Sequence, residues 1–359
     1  MILLNKPVAP NLIKLNSYLE KVNESGWYTN FGPMHQALTE RLEDYLGVKN
    51  LLLVSNGTLA IQVAARALNI SKSVTTPFTF VATSSSLLWQ GMDVAFSDIN
   101  SDSLNISTDM LEQVWENNPS YDSLLATHVY GNPCDVKKID ELAKKFDKKV
   151  IYDAAHAFGI NVSRDSVLSF GDASTLSFHA TKVFHTVEGG AIVFKNKADF
   201  DKAKNLINFG IQNDGTLGEP GINAKLNEYQ AAVGLCLLDN IDEILEHRSA
   251  LFELYRNELK DVVDMPMWYE NANYNGAYMP ICPENEKVRL KIGANLTKNE
   301  IQYRRYFYPS LDKAYPKVIS FGCEVSNAIA ENALCLPLHF YMGKNDILKV
   351  CNVIKGALL

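Results

Sequence analysis

Two residues of the sequence could together carry out amine chemistry on a carbonyl compound. Lys182 follows the segment at residues 176–181, and Asp153 follows the apolar run at residues 149–152. A lysine amine can hold pyridoxal phosphate as a Schiff base, while a carboxylate at a strand end can keep the pyridine nitrogen of that cofactor protonated and make its ring an electron sink. Each residue alone could instead be a solvated surface charge or a helix cap. As a pair, they predict a pyridoxal phosphate site.

A phosphate-binding turn is predicted at residues 55–58, where Ser-Asn-Gly-Thr joins an apolar run at 51–54 to a helical pattern at 59–68. Backbone N–H groups at a helix start have no intrahelical acceptor, and the helix dipole favours an anion there. Gly57 would let a phosphate approach closely. The same four residues are also ordinary turn and cap chemistry, so they support a cofactor site only together with Lys182 and Asp153.

The elements that must position these residues alternate in type over about the first 200 residues, which predicts an α/β fold. Short runs buried on both faces are typical of a mainly parallel sheet. Residues 34–46 and 135–146 carry the apolar stripe of helices, and residues 229–256 form a long Leu-rich helical pattern. We expect this long helix to lead from a large domain with an N-terminal arm, residues 1–240, to a smaller C-terminal α/β domain, residues 241–359. The runs that predict strands are 51–54, 73–76, 94–97, 123–127, 150–152 and 191–195.

Further motifs extend this pattern along the chain. They are Gly-Pro at 32–33, Pro-Phe-Thr-Phe-Val-Ala-Thr at 77–83, His-Val-Tyr-Gly at 128–131, Asp-Ala-Ala-His-Ala at 153–157, Ser-Phe-His-Ala-Thr-Lys at 177–182, Glu-Gly-Gly at 188–190, Gly-Ile-Asn-Ala-Lys-Leu-Asn-Glu at 221–228, Arg-Tyr-Phe-Tyr-Pro at 305–309 and Leu-Pro-Leu at 336–338. In this order, and over almost the whole chain, the sequence resembles the DegT/DnrJ/EryC1/StrS sugar aminotransferases. The resemblance implies a fold-type I pyridoxal phosphate enzyme, with a mainly parallel mixed sheet in the large domain.

The resemblance also implies a role for each residue around the cofactor ring. Asp153 would pair with the pyridine nitrogen, and Phe80 would stack on the ring face. His156 would contact the ring near its phenolic oxygen, at a position where many relatives have Gln. Lys182 would hold the cofactor and, once displaced, move a proton between substrate and cofactor. A free lysine has a pKa of about 10.4, so burial must lower the pKa of this one.

Other site residues are implied in the same way. Gly57, Thr58 and Ser177 would hold the cofactor phosphate, and Asn223 would reach it from the neighbouring subunit. The active sites would then be shared within a homodimer. The side chains that would border the substrate are Tyr28, Thr29, Tyr306 and Tyr308.

Composition excludes several other classes of protein. The formal charge is −7, from 34 basic and 41 acidic residues, and no basic block stands out, which argues against a nucleic-acid groove. The six cysteines lack Cys-x-x-Cys or Cys/His clustering, which argues against a metal site and against disulfides in a reducing compartment. The start does not have the pattern of a signal peptide, and no apolar run could span a membrane. We therefore expect a cytoplasmic protein with no membrane partner.

The resemblance implies transfer of the amino group of L-glutamate to a nucleotide-linked keto-6-deoxy sugar, with ping-pong kinetics. The segment at 305–309 and the chain length are most similar to those of family members that handle dTDP-linked 6-deoxyhexoses. Among these sugars we favour dTDP-4-keto-6-deoxy-D-glucose, aminated at carbon 4, for the synthesis of glycosides or of surface polysaccharides such as lipopolysaccharide O-antigen. The alternative substrate is a dTDP-3-keto-6-deoxyhexose, aminated at carbon 3.

Two other functions stay open. A 3-dehydratase of the same fold uses pyridoxamine phosphate and carries His where this chain has Lys182. A nucleotide-sugar-binding protein without turnover would more readily have lost Lys182 or Asp153. Both residues are present here.

Overall fold

A mixed, mainly parallel sheet of eight strands forms the centre of the protein. The computed structural model describes residues 1–358. The strands are β1 (Leu51–Val54), β2 (Lys72–Thr75), β3 (Asp93–Phe96), β4 (Ser123–Thr127), β5 (Lys149–Asp153), β6 (Asn161–Val162), β7 (Asp165–Ser166), β8 (Ala173–Ser177), β9 (Gly190–Phe194), β10 (Met279–Ile281), β11 (Ile319–Ser320) and β12 (Leu334–Leu336). The sheet order is β1-β9-β8-β5-β4-β2-β3-β11. β9 runs antiparallel to the other seven strands, which are parallel to one another, so the predicted α/β fold class is confirmed.

Helices surround this sheet and build the C-terminal part of the chain. They are α1 (Leu12–Ser25), α2 (Pro33–Leu46), α3 (Gly57–Ala67), α4 (Val81–Leu88), α5 (Thr108–Asn117), α6 (Val136–Phe146), α7 (Lys197–Leu206), α8 (Glu228–Leu238), α9 (Ile241–Leu259), α10 (Glu286–Lys298), α11 (Leu311–Ala314), α12 (Glu324–Asn332) and α13 (Lys344–Leu358). The six predicted strands and the helices predicted at 34–46 and 135–146 are found to within one residue, and the helical pattern at 59–68 corresponds to α3 to within two residues. Within residues 1–358, no helix is long and apolar enough to cross a membrane.

Both faces of the central sheet are covered by apolar side chains, which explains its short, continuous apolar strands. In β1, Leu51 and Leu53 pack into one core cluster with residues of α2 and α8. Leu52 and Val54 point to the opposite face and pack into a second cluster with α3 and α7. Successive side chains of a strand alternate between faces, so a strand buried on both sides is apolar throughout.

The prediction of one continuous helix over residues 229–256 is wrong, because α8 ends at Leu238 and a second helix, α9, begins at Ile241. Asp239 and Asn240 lie at the break. The Asp239 carboxylate is 2.9 Å from Nη1 of Arg41 and 3.6 Å from Nζ of Lys14, so it ties this corner to the helices beside it. Short polar side chains such as Asp and Asn favour helix ends over helix interiors. The apolar spacing runs through the break and therefore conceals it.

A separate apolar cluster lies in the C-terminal part of the chain. It is formed by the second half of α9 together with β10, α10, β12 and α13. The start of α9, with Ile241 and Ile244, packs instead into a cluster of the central sheet. The domain boundary placed between residues 240 and 241 stays a prediction.

The carboxyl ends of the parallel strands meet at one edge of the sheet. Thr127 at the end of β4 is in register with Asp153 at the end of β5, and Asp153 is in register with Thr175 of β8. The α3 helix begins just beyond β1, and α4 begins shortly after β2. In open α/β sheets this edge is where ligands bind.

Candidate active site

A cavity of ≈ 340 Å³ lies at this edge of the sheet. It brings together residues from β5, β8, the start of α3, the segment before α4, the loop between β8 and β9, and the C-terminal part of the chain. Eight of the residues predicted from the sequence line it: Gly57, Thr58, Phe80, Asp153, His156, Ser177, Lys182 and Tyr306.

Asp153 is buried at the floor of the cavity and is held in place by two hydrogen bonds. The hydroxyl of Thr83 donates to Oδ2 at 2.7 Å, and the N–H of Ala155 donates to Oδ1 at 3.1 Å. Thr79 is 2.8 Å from the Thr83 hydroxyl and 2.9 Å from that of Thr127, so three threonines form one chain of hydroxyls. These bonds fix the direction of the carboxylate.

Burial raises the pKa of Asp153, while the Thr83 and Ala155 hydrogen bonds and the charge of Lys182 act in the opposite direction. A cationic group bound against Asp153 would favour its charged form. The site is therefore built to accept a positive charge at this carboxylate. No role was predicted for Thr79 and Thr83. Their spacing of four residues at the start of a helix could have indicated that both lie on the same helix face.

Lys182 lies in the loop between β8 and β9, in a turn where its N–H donates to the carbonyl of His179 at 2.9 Å. The loop is anchored by Phe178 and Phe184, two buried rings that pack edge to face with centroids 4.9 Å apart. Burial lowers the pKa of Lys182 to about 8, against the opposing charge of Asp153. A substantial fraction of this amine is therefore neutral near physiological pH, as a nucleophile or base requires.

The start of α3 has the geometry expected of a phosphate-binding turn. Asn56 caps the helix by accepting the N–H of Leu59 at 2.8 Å. Within residues 1–358, the N–H groups of Gly57 and Thr58 have no hydrogen-bond acceptor. A Cβ atom at position 57 would lie 2.9 Å from Cβ of Ser177, so only glycine allows the end of β8 to approach this closely. Two free N–H groups at a helix start beside a serine hydroxyl suit a phosphate.

Aromatic side chains form the opposite wall. The ring of His156 is parallel to that of Phe307, with centroids 6.0 Å apart, and packs on Tyr278 at 4.6 Å. Burial holds the pKa of His156 well below its ordinary value, so the ring is neutral. Its Nδ1 is buried and has no hydrogen-bond partner within residues 1–358. An unpaired polar atom in a cavity lining is satisfied when a polar ligand binds.

Phe307 and Tyr278 were missed as wall residues, because both come from the C-terminal part of the chain and are brought to the cavity only by tertiary packing. Phe80 lies at the cavity and is 54% exposed, directly before α4. A flat side chain with one free face is suited to stacking.

Four predicted residues do not line the cavity of their own chain: Tyr28, Thr29, Asn223 and Tyr308. The ring of Tyr28 packs against Tyr229, and the ring of Tyr308 is covered by the guanidinium of Arg305 at 3.4 Å. Asn223 is exposed in the loop before α8. Their proposed contacts with substrate or partner stay predictions. Within residues 1–358, no group of three His, Cys, Asp or Glu side chains is placed to hold a metal ion.

A partly buried lysine of lowered pKa, a buried carboxylate and a helix start with free N–H groups, at the edge of a mixed sheet, are the features expected of the pyridoxal phosphate-dependent enzymes as a class. The chain belongs to the DegT/DnrJ/EryC1/StrS aminotransferase family, whose sequence model matches residues 13–355. The predicted family is confirmed.

Two curated relatives match the chain over nearly its full length. A dTDP-4-amino-4,6-dideoxy-D-glucose transaminase of Shigella dysenteriae is 40% identical over 359 residues, which cover 97% of this chain and 96% of the relative. A transaminase of the same name from Escherichia coli is 36% identical, with 98% of each chain covered. Among solved structures, DesI in the presence of its TDP-sugar product aligns with a TM-score of 0.93 and 27% identity, covering 99% of this chain and 93% of DesI. The predicted fold type is confirmed as well.

Proposed function

We propose that the protein uses pyridoxal phosphate to transfer the amino group of L-glutamate to dTDP-4-keto-6-deoxy-D-glucose. The products are 2-oxoglutarate and dTDP-4-amino-4,6-dideoxy-D-glucose. The observation that carries the proposal is the convergence of Lys182, Asp153 and the α3 start on one cavity. The names of the two relatives that are 40% and 36% identical support the sugar and the position of amination.

The residues of the cavity fit the cofactor at each of its polar groups. The N–H groups of Gly57 and Thr58, with the Ser177 hydroxyl, would hold the phosphate. Asp153, fixed by Thr83, would pair with the pyridine nitrogen, and Phe80 would cover the ring face. Pyridoxal phosphate, when bound, supplies an aldehyde that condenses with amines and a ring that accepts electrons from the substrate carbon.

The unpaired Nδ1 of His156 would meet a polar substituent of the same ring. Because burial keeps the ring neutral, Nδ1 can either accept or donate a hydrogen bond, depending on the tautomer.

Lys182 would attach the cofactor and, when displaced, transfer the proton at the substrate carbon. Its lowered pKa keeps part of the amine unprotonated at the pH at which it must accept that proton. Tyr306 and Phe307 line the side of the cavity formed by the C-terminal part of the chain, where the sugar would enter.

The other candidate functions have less support. Lys182 argues against a 3-dehydratase, and the intact pair of Lys182 and Asp153 argues against a binding protein without turnover. The 3-amination of a dTDP-3-keto-6-deoxyhexose is disfavoured by the names of both relatives. A role in surface polysaccharide synthesis stays a prediction.

Purified protein with L-glutamate should aminate dTDP-4-keto-6-deoxy-D-glucose at carbon 4. Mass spectrometry and NMR of the product identify the site of amination and its stereochemistry. The 3-keto isomer and the UDP- and GDP-linked 4-keto sugars serve as competing substrates. A faster reaction with any of these would contradict the proposed substrate. If glutamate yields no 2-oxoglutarate with any sugar, the proposed transamination is wrong.

We also propose that two chains form a homodimer in which Asn223 of one chain reaches the phosphate cradle of the other. Asn223 lies outside the cavity of its own chain, and the neighbouring loop exposes large apolar side chains, including Phe209, Leu217 and Ile222. Exposed apolar side chains that cluster on one loop favour contact with another protein surface. A second copy of the chain would cover them and complete both cavities.

Mixing an impaired variant with an inactive one tests this arrangement. An Asn223→Ala chain refolded with a Lys182→Ala chain should regain activity, because one site of the heterodimer then contains both native residues. Asn223→Ala alone should first show weakened cofactor binding. Normal cofactor binding by that variant, or full activity of a sedimenting monomer, would contradict the shared site.

A further inference from the structure

The first residues of the chain lie across two parts of the protein that are distant in sequence. We call residues 2–9 the strap. At one end, the strap is bonded to the C-terminal part of the chain: the N–H of Gln302 donates to the carbonyl of Ile2 at 2.9 Å, and the N–H of Leu338 donates to that of Leu4 at 3.2 Å. Further along, the hydroxyl of Tyr341 accepts the N–H of Ala9 at 2.9 Å. The strap is thus held along its length by the C-terminal part.

The other contacts of the strap are with the loop that carries Lys182. The side-chain amide of Asn5 donates to the carbonyl of Thr181 at 2.8 Å. The carbonyl of Val8 is 2.9 Å from Nε2 of His185. The N–H of Val187 donates to Nδ1 of the same ring, so Nε2 carries the proton and donates to Val8. The strap therefore contacts the loop on both sides of Lys182.

Few other hydrogen bonds fix the backbone at Lys182. The N–H of Lys182 bonds to the carbonyl of His179, and the N–H of Thr181 lies 3.3 Å from Nδ1 of the His179 ring, so both bonds are internal to the turn. Within residues 1–358, Asn5 makes the only hydrogen bond that reaches the backbone of residues 179–182 from outside the loop. A turn held mainly by its own bonds can rotate as a unit unless something external holds it.

We propose that the strap, through the Asn5 amide, holds the peptide between Thr181 and Lys182 and so aims the Lys182 amine into the cavity. Asn5 is then a positioning residue of the reaction, although it does not line the cavity itself. The proposal rests on the proposed function, because the aim of Lys182 matters only if its amine takes part in catalysis. A displacement of about 1 Å in a reacting group can reduce a rate by roughly a hundredfold.

Asn5→Ala and Asn5→Asp test the proposal, with Asn11→Ala as the matched control. Asp has the size of Asn but no N–H to donate, so the loss of kcat in Asn5→Asp separates the hydrogen bond from packing. Asn5→Ala adds no charge beside Lys182, so its pH profile reports the loosened turn alone. Asn11 is an asparagine of the same N-terminal region, and its Oδ1 caps α1 by accepting the N–H groups of Ile13 and Lys14. Its loss should lower the melting temperature without affecting the loop of Lys182.

Both Asn5 variants should lower kcat by about tenfold to a hundredfold, with KM for each substrate nearly unchanged. The acidic limb of the pH–rate profile should also move to higher pH. Burial lowers the pKa of Lys182, and a loosened turn lets water reach the amine, so the pKa rises and less free base is present at a given pH. The Asn11→Ala profile should match that of the wild type.

Wild-type kcat and an unshifted profile in Asn5→Asp would overturn the proposal. So would equal losses in Asn5→Ala and Asn11→Ala, which would indicate general destabilisation. An inactive wild-type protein would instead count against the proposed function, so the two failures can be distinguished.

Discussion

Lys182→Ala is expected to lower transamination by roughly 10⁴-fold or more, because the substitution removes both the amine that attaches the cofactor and the base that moves the proton. The fold should be retained. Lys182 extends into a cavity, and its burial disfavours the charged form more than the charge of Asp153 favours it, so loss of the amine should cost little stability. Turnover with glutamate and the keto sugar is the first measurement, and thermal unfolding is the second.

Two further variants sharpen this test. Lys195→Ala removes an exposed lysine just beyond β9 and should leave activity unchanged. Lys182→Arg keeps a cation in the cavity but cannot attach the cofactor, so it should be as inactive as Lys182→Ala. In the wild type, borohydride reduction should fix the cofactor on the peptide that contains Lys182. Appreciable turnover in Lys182→Ala, or the cofactor on another peptide, would overturn the catalytic assignment.

Asp153→Asn is expected to reduce activity by about 10²–10³-fold while part of the cofactor binding survives, because an oriented charge is lost but the shape is kept. The amide oxygen of Asn can still accept the Thr83 hydroxyl. What is lost is the negative charge that would hold a pyridine nitrogen in its protonated form. Steady-state kinetics and cofactor content of the purified variant check both parts of this expectation.

Asp172→Asn is the matched control for this charge. Asp172 precedes β8 at the opposite end of the same strands, where its carboxylate accepts the N–H of Val150 at 2.9 Å and contacts Lys149 at 3.0 Å. Its substitution should lower stability and spare activity. If Asp153→Asn retains near-normal turnover, another acid holds the ring nitrogen and the assigned role of Asp153 is wrong.

Much of the site could be predicted from sequence because its chemistry is local. Gly57 and Thr58 are recognisable from a strand, a glycine turn and a helix start that follow one another directly, and Asp153 is recognisable as a carboxylate at the end of an apolar run. In each case the residue and the element that positions it are adjacent in the chain. Thr83 was missed because its role depends on a contact with Asp153, in another strand-to-helix segment.

Most strands and helices of the fold could also be predicted from the sequence. The predictions that were wrong or missing concern elements whose burial or ends depend on distant parts of the chain. Strands buried on both faces can be predicted from their apolar runs. The strand β8 was not predicted, because it consists largely of small and polar residues and is buried by its neighbours β5 and β9. The break between α8 and α9 was hidden because apolar spacing continues across Asp239 and Asn240. Periodicity reports which side chains are buried and does not by itself report where a helix ends.

The sequence by itself determined the α/β class and the family, and it predicted the lysine, the carboxylate and the phosphate turn, since these follow from residue types at short spacing. Only the tertiary structure decided what surrounds them: the threonines behind Asp153, the wall of Tyr278 and Phe307, and the strap contact from Asn5 to Thr181. These contacts join segments far apart in the chain. The packing of the helices and strands determines which of these side chains meet. Such contacts cannot be predicted from the sequence, because a hydrogen bond or ring contact leaves no periodic pattern in either segment alone.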